Sequence, residues 1–247
     1  QVSLTNWAAG GLSSISGNGH INLFANHKKG KGSWDNNLIL AYGLLKQGEA
    51  DVVKSDDRIE FTTKYGLEAW SPNWSYTALA NFRTQFTEGL DAEGNRISDL
   101  MAPGYLLASL GFDYRPNDNF SFYISPVTGK FTFVTDEILA AQGAYGVEDG
   151  KTSRSELGGY IRTTYNKNLM ENVNFLTSLD LFSNYENPTF IDVNWDTMIS
   201  LKVNEYITTS LGLTVIYDHD IKIQDGDNIG PRTQFRQIFG VGFAYTL

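Results

Sequence analysis

Hydrophobic and polar residues alternate along most of this chain. Over residues 191–203 the odd positions are Ile191, Val193, Trp195, Thr197, Ile199, Leu201 and Val203, and the even ones are Asp192, Asn194, Asp196, Met198, Ser200 and Lys202. A strand sends successive side chains to opposite faces, so this spacing predicts a strand with one apolar and one polar face. Residues 173–181 repeat the pattern, with Val173, Phe175, Thr177, Leu179 and Leu181 set against Asn174, Leu176, Ser178 and Asp180. Residues 59–69 follow it, and Arg58, Glu60, Lys64 and Glu68 share their polar face. The same reading predicts strands over 12–27, 33–47, 74–86, 105–114, 120–134, 156–165, 207–217 and 234–247, and a short one over 2–7. That makes about twelve strands, most of them long enough to cross a bilayer at a tilt. No sustained helical period competes, although 136–144 has room for a turn or two of helix.

Pro126 interrupts the 120–134 segment. Proline has no N–H to give to a ladder, so a bulge is expected there. The apolar set moves across it from even positions (Phe120, Phe122, Ile124) to odd ones (Phe131, Phe133).

The connections alternate in length. Residues 28–32, 71–73, 115–119, 166–172 and 204–205 are short; 48–57, 87–102, 135–154 and 218–233 are longer, and 184–190 is intermediate. The exception is 8–11, short on the long side. Transmembrane barrels alternate in this way, with short periplasmic turns and longer external loops. The expectation is an all-β, transmembrane, antiparallel up-and-down β-barrel, one domain over 1–247, with both termini periplasmic. Aromatic residues fit two interfacial belts. Trp34, Trp70, Trp74, Tyr114, Phe120, Tyr165, Tyr206 and Tyr245 sit at strand ends on the short-turn side, and Phe86, Tyr185, Tyr217 and Phe235 beside the longer connections. A soluble lipocalin-like barrel also alternates with period two. Its solvent face would carry more Lys and Glu than the Gly, Ser, Thr and Asn found here.

Several stretches are distinctive: Leu4-Thr5-Asn6-Trp7-Ala8-Ala9-Gly10-Gly11, Lys29-Gly30-Lys31-Gly32-Ser33-Trp34-Asp35-Asn36, Leu40-Ala41-Tyr42-Gly43-Leu44, Asp192-Val193-Asn194-Trp195 and Gly230-Pro231-Arg232-Thr233-Gln234-Phe235. With them the chain resembles a family of Bacteroidota outer-membrane β-barrel proteins filed as a domain of unknown function. The resemblance implies a cell-envelope address and no particular activity. Outer-membrane barrels usually finish on an aromatic residue, whereas this chain ends Phe243-Ala244-Tyr245-Thr246-Leu247.

Composition narrows the function. With 247 residues and no cysteine, disulfide staples and Cys-ligated zinc are excluded. A net charge of −9 argues against a nucleic-acid partner. There is no apolar run long enough for a membrane helix, and Gln1 begins with no apolar leader, so any signal peptide is expected to be gone. The expected partners are the lipid bilayer and other outer-membrane proteins.

The polar faces collect charges of both signs as lumen-lining candidates: the acids Glu60, Glu68, Asp113, Glu156, Asp180, Asp192 and Asp196, and the bases Arg58, Lys64, Arg83, Arg162, Lys202 and Arg236. They either line a water-filled, weakly selective pore or pair off and close the lumen. Phe24, Tyr105, Leu107, Tyr160, Leu176, Met198 and Ile216 are bulky inward candidates for filling it. The longer loops hold about 17 acids against about 6 bases. In the last of them Asp218, Asp220, Asp225 and Asp227 offer the hard oxygen ligands that calcium prefers, without EF-hand spacing. The three histidines are His20, His27 and His219. No Gly-x-Ser-x-Gly elbow accompanies them, and Asp218 points to the opposite strand face from His219, so no catalytic residue is expected. The expected function is a small channel or a barrel subunit of a larger envelope assembly. The alternatives are a lipid-modifying outer-membrane enzyme and a soluble ligand carrier.

Overall fold

The computed structural model describes residues 2–3, 13–91, 93–225 and 228–243. The strands are β1 (Val2–Ser3), β2 (Ser14–Lys29), β3 (Gly32–Gln47), β4 (Val53–Glu68), β5 (Trp74–Thr84), β6 (Gly89–Leu90), β7 (Arg96–Ser98), β8 (Gly104–Asn117), β9 (Phe120–Phe133), β10 (Ser153–Met170), β11 (Val173–Asn184), β12 (Ile191–Lys202), β13 (Ile207–Tyr217), β14 (Lys222–Asp225), β15 (Asn228–Pro231) and β16 (Gln234–Phe243). Helix α1 (Glu137–Ala141) lies between β9 and β10. Twelve strands form one sheet in the order β1-β2-β3-β4-β5-β8-β9-β10-β11-β12-β13-β16. Sheet order follows chain order, so the sheet is a meander. The four remaining strands pair locally as β6–β7 and β14–β15.

Each of the twelve expected strands has its counterpart. Of the expected 2–7 strand only Val2–Ser3 is described, paired with Ile15 and Ser14. The rest of that strand, the 8–11 connection and Tyr245 lie outside the described residues. Several ladders run further than the apolar pattern does: β4 begins at Val53 rather than Ile59, and β10 spans Ser153–Met170. Residues 54–58 and 166–168 are polar on both strand faces, so alternation stops there while the strands continue. The hairpins β6–β7 and β14–β15 were not anticipated, because strands of two to four residues carry too little periodicity to read.

The chain divides into two compact units. The first comprises Gln1–Tyr65, Leu79–Ala108 and Lys130–Ser155. Its β2–β3 hairpin is paired from Ser14↔Gln47 to Lys29↔Gly32. Gly30 turns the chain there at φ +58°, a conformation in which a side chain would be strained. Long connections in this unit fold into a cap. Asp136 caps α1 by accepting a bond from the Leu139 N–H at 2.9 Å. Ala102, Val134, Leu139, Ala140 and Val147 form a small apolar core, with Ala144 and Tyr145 packed on it. The Tyr145 hydroxyl donates to the Ile97 carbonyl. Burial pushes that phenol up to about 12.

The second unit comprises Gly66–Ala78, Ser109–Gly129 and Glu156–Leu247. Its strands β11, β12, β13 and β16 run in unbroken antiparallel register. Next to the 71–73 turn, Trp70 stacks on Trp74 at 5.5 Å, and Trp74 packs on Tyr114 at 4.9 Å. In this unit's part of β9 the buried positions are Tyr123 and Ser125, then Thr128, while Pro126 and Val127 are both exposed. Enclosed positions therefore change from odd to even across Pro126, as expected from the apolar spacing. The Ser125 hydroxyl has the Leu110 and Val127 carbonyls within reach of its one proton, at 2.8 and 2.9 Å, and accepts from the Thr128 hydroxyl at 2.8 Å. Gly111 allows the close approach, because a Cβ there would collide with the Ile124 carbonyl oxygen.

Candidate functional site

Burial in this sheet runs opposite to that of a water-soluble one. In β9 of the second unit Ser125 and Thr128 are 1% and 0% exposed, whereas Val127 is 54% exposed. Thr77, Ser109, Asp113 and Glu156 are also buried there, while Tyr76, Leu110, Ile124, Leu157 and Trp195 are exposed. In the first unit Thr84 and Thr132 are buried, and Tyr42, Leu44, Phe61 and Tyr65 are exposed. Soluble sheets bury the apolar face and solvate the polar one.

Polar groups on the exposed face bond to one another. In the first unit the Trp34 indole N–H donates to Thr63 Oγ1 at 2.9 Å. Thr63 donates onward to Asn36 Oδ1 at 2.8 Å, and the Asn36 amide to the Ala25 carbonyl at 3.2 Å. In the second unit the Trp195 indole donates to Thr177 Oγ1 at 2.9 Å, and Thr177 pairs with Thr197 at 2.8 Å.

The polar face of the first unit carries Arg58, Glu60, Lys64 and Arg83, all half-buried. Arg58 lies 3.7 Å from Glu60. Asn81 Nδ2 donates to Glu60 at 3.0 Å and to Thr62 at 2.8 Å. The Arg83 guanidinium sits over the Tyr105 ring at 5.2 Å.

The second unit carries the rest. Asp113 receives Arg115 Nε at 2.8 Å and the Ser121 hydroxyl at 2.9 Å. Glu156 accepts from Asn184 Nδ2 at 3.0 Å. Asp180 accepts from the Tyr160 hydroxyl, with Arg162 Nε 3.5 Å away. Asp196 accepts from the Thr214 hydroxyl at 2.7 Å. Glu68, Asp192 and Arg236 are half-buried, and Lys202 is exposed at its strand end. Oppositely charged groups thus meet within each unit.

The bulky inward candidates need correcting. Tyr160 is 4% exposed and fills space, but Phe24 is 75% exposed and Leu176 and Met198 also stay exposed. Phe24 stands opposite Asn37 on β3, and Met198 stands between Leu176 on β11 and Gly212 on β13. Buried Phe182 and Tyr123 were missed as fillers: Phe182 falls at the end of its strand, and Tyr123 lies on the less apolar set of β9.

Sequence reading did not anticipate the cap's charge cluster either. Arg96 lies 2.6 Å from Asp136, 3.0 Å from Glu88 and 4.0 Å from Asp99. The Leu139 N–H and Arg96 hold the Asp136 carboxyl below its ordinary range, and Asp136 and Glu88 hold the Arg96 guanidinium up. Arg96, Asp99 and Asp136 border an open pocket that also includes Leu100, Thr135, Glu137 and Ile138.

At the last long loop the Asp220 N–H donates to Asp218 Oδ1 at 2.9 Å. Asp227 and the Asp225 side chain lie outside the described residues, and no group of three potential metal ligands occurs among those described. The His219 ring stacks on Phe190 at 3.5 Å, and its Nδ1 meets the Tyr217 hydroxyl at 3.2 Å. His20 and His27 lie exposed on β2.

Residues 1–90 match a family described as a protein of unknown function, DUF3078. No curated protein matches the chain. Among solved structures, a NanC porin in a rhombohedral crystal form aligns with 95% of this chain and 100% of its own, at 8% sequence identity and a TM-score of 0.41.

Proposed function

We propose that this protein is an integral outer-membrane β-barrel, non-catalytic, with both termini periplasmic, whose polar face lines a narrow channel. The carrying observation is the inverted burial: Thr77, Ser109, Asp113, Ser125, Thr128 and Glu156 are enclosed while Phe61, Leu110, Val127, Leu157 and Trp195 are exposed. An exposed apolar face of that extent is stable in lipid and a liability in water. The hydrogen-bonded Trp34–Thr63–Asn36 and Trp195–Thr177–Thr197 sets support it, because polar groups facing hydrocarbon must be satisfied from within the wall. Closure of the sheet and the outer-membrane address belong to this proposal. Charges paired across the polar face make the channel weakly selective for sign.

A second reading is a barrel subunit of an envelope assembly. Leu90, Ile97, Leu100 and Ile138 are exposed on the folded cap of the first unit, where apolar side chains suit contact with another protein.

Purification and planar-bilayer recording test both. The expected protein needs detergent, shifts on gels when heated and gives small conductance steps. A silent barrel that copurifies with stoichiometric partners would establish the assembly role. A protein soluble without detergent would establish a ligand carrier instead. Lipid hydrolysis lost in His219→Ala would establish an enzyme.

A further inference from the structure

We propose that the cap of the first unit docks a basic segment of another protein, which covers the cap's exposed aliphatic side chains and sends a lysine or arginine into the pocket beside them. The proposal rests on the assembly reading above and names the chemistry of that partner. Leu90, Ile97, Leu100 and Ile138 are 54%, 50%, 51% and 53% exposed, although the cap buries Ala102, Val134, Leu139, Ala140 and Val147 in a core of its own. Aliphatic side chains gathered outside such a core suit a partner's apolar surface. The four stand on elements that are held together. Arg96, 2.6 Å from Asp136, ties β7 to the start of α1, where Ile138 lies. Ile97 follows Arg96 in β7, and Leu90 stands opposite Arg96 in the β6–β7 hairpin. Leu100 and Ile138 line the pocket, whose volume of about 410 Å³ leaves room for a long side chain.

Charge selects the partner. Asp99, Asp136 and Glu137 line the pocket against one cation, Arg96. Arg96 is engaged by Asp136 and by Glu88 at 3.0 Å, while Asp99 is 4.0 Å from it and Glu137 is exposed. The two connections that build the cap, residues 87–102 and 135–154, hold eight acids and three bases. A lysine or arginine entering here meets carboxylates at its head and Leu100 and Ile138 along its methylene stem. A second copy of this chain would bring another acidic cap. Its exposed basic turn, Lys28-Lys29-Gly30-Lys31, joins β2 to the start of β3. The cap is tied beyond the other end of β3, where Lys54 of β4 donates to the Thr87 carbonyl at 2.8 Å. Under the barrel reading, turn and cap lie on opposite sides of the membrane.

The test uses the full chain in nanodiscs of zwitterionic lipid, with empty discs as the blank. The probes are short peptides of leucine with lysine, leucine with glutamate, and serine with lysine. The leucine–lysine peptide should protect the cap amides from hydrogen exchange and bind severalfold more tightly than the other two. Asp99→Asn with Glu137→Gln, and separately Leu100→Ser with Ile138→Ser, should each weaken it severalfold. Asp99→Asn keeps an acceptor for the Leu100 N–H, and the other three side chains are exposed, so the cap should stay folded. Glu49→Gln with Asp51→Asn, at exposed acids outside the cap, should match the wild type. No binding to the wild type, equal binding to both cap variants, or an equal loss in the Glu49 and Asp51 variant would overturn the docking surface. So would protection of the same amides by lipid alone, or a wild-type dimer that Leu100→Ser with Ile138→Ser dissolves. Native partners that still copurify with both cap variants would overturn the docking surface and leave the assembly reading standing. A protein that leaves its native membranes without any stoichiometric partner would overturn the assembly reading, and the docking surface with it.

Discussion

Leu179 stands directly opposite Trp195 across β11 and β12, on the exposed face of the sheet. Its neighbour Ser178 stands opposite Asp196 on the other face. One step along the chain thus separates an apolar wall from a carboxylate. Leu179→Arg should cost about 2–4 kcal/mol near the bilayer midplane and impair insertion. Ser178→Arg should be tolerated better, because Asp196 is there to meet the charge. Folding titrations into lipid vesicles compare the two, and equal losses would refute the face assignment.

Glu93 and Asp149 lie exposed in the connections that hold the β6–β7 hairpin and α1. Under the proposed orientation, tags inserted beside them are labelled on intact cells, and a tag at 71–73 is labelled only after the outer membrane is opened. The reverse pattern would invert the topology.

Asp136 ties two parts of the cap together, accepting from Leu139 N–H and pairing with Arg96. Its carboxyl is held below the ordinary aspartate value. A depressed value means that this stabilisation is complete above the unfolded-state value and fades as pH falls through the folded one. Amide protection around α1 should therefore weaken in acid below about pH 4. Asp136→Ala should lose about 1 kcal/mol of local stability at neutral pH and flatten that acid dependence. On the alkaline side Tyr145, raised to about 12, retains its proton longer when folded, so the cap should loosen as pH climbs from about 10. In Tyr145→Phe that alkaline loss should vanish. Hydrogen exchange of the cap amides across pH reads both limbs.

Beside the change of parity at Pro126, Gly111 faces the β9 backbone so closely that a Cβ would meet the Ser125 Cα at 2.7 Å. Gly111→Ala should cost about 1–3 kcal/mol, because backbone rather than a flexible side chain must yield. Pro126→Thr restores a donor but leaves Gly111 in place, and it should be far milder. Denaturant unfolding in detergent would rank the pair, and similar losses would remove Gly111 from this account.

Period-two spacing determined the strands and their faces, because a strand's alternation is a property of neighbouring residues and needs no tertiary information. It placed Ser178 and Asp196 on the polar faces of their strands before any register was known. It also located the change of parity at Pro126, since a missing N–H is written in the residue itself. Strand ends were less legible: alternation stops where the apolar band stops, while the β4 and β10 ladders run on. Only the tertiary structure decided which face is enclosed and which side chains fill it. Tyr160 reaches Asp180 because β10 and β11 pair in one register out of several that preserve the faces. Arg96 meets Asp136 through the fold of two separate loops, 40 residues apart in sequence. Phe24 and Tyr160 look alike as inward aromatics in the sequence. Phe24 stays open opposite Asn37, whereas Tyr160 is covered beside Phe182 and Tyr123, because burial depends on what stands across the sheet and not on the residue alone.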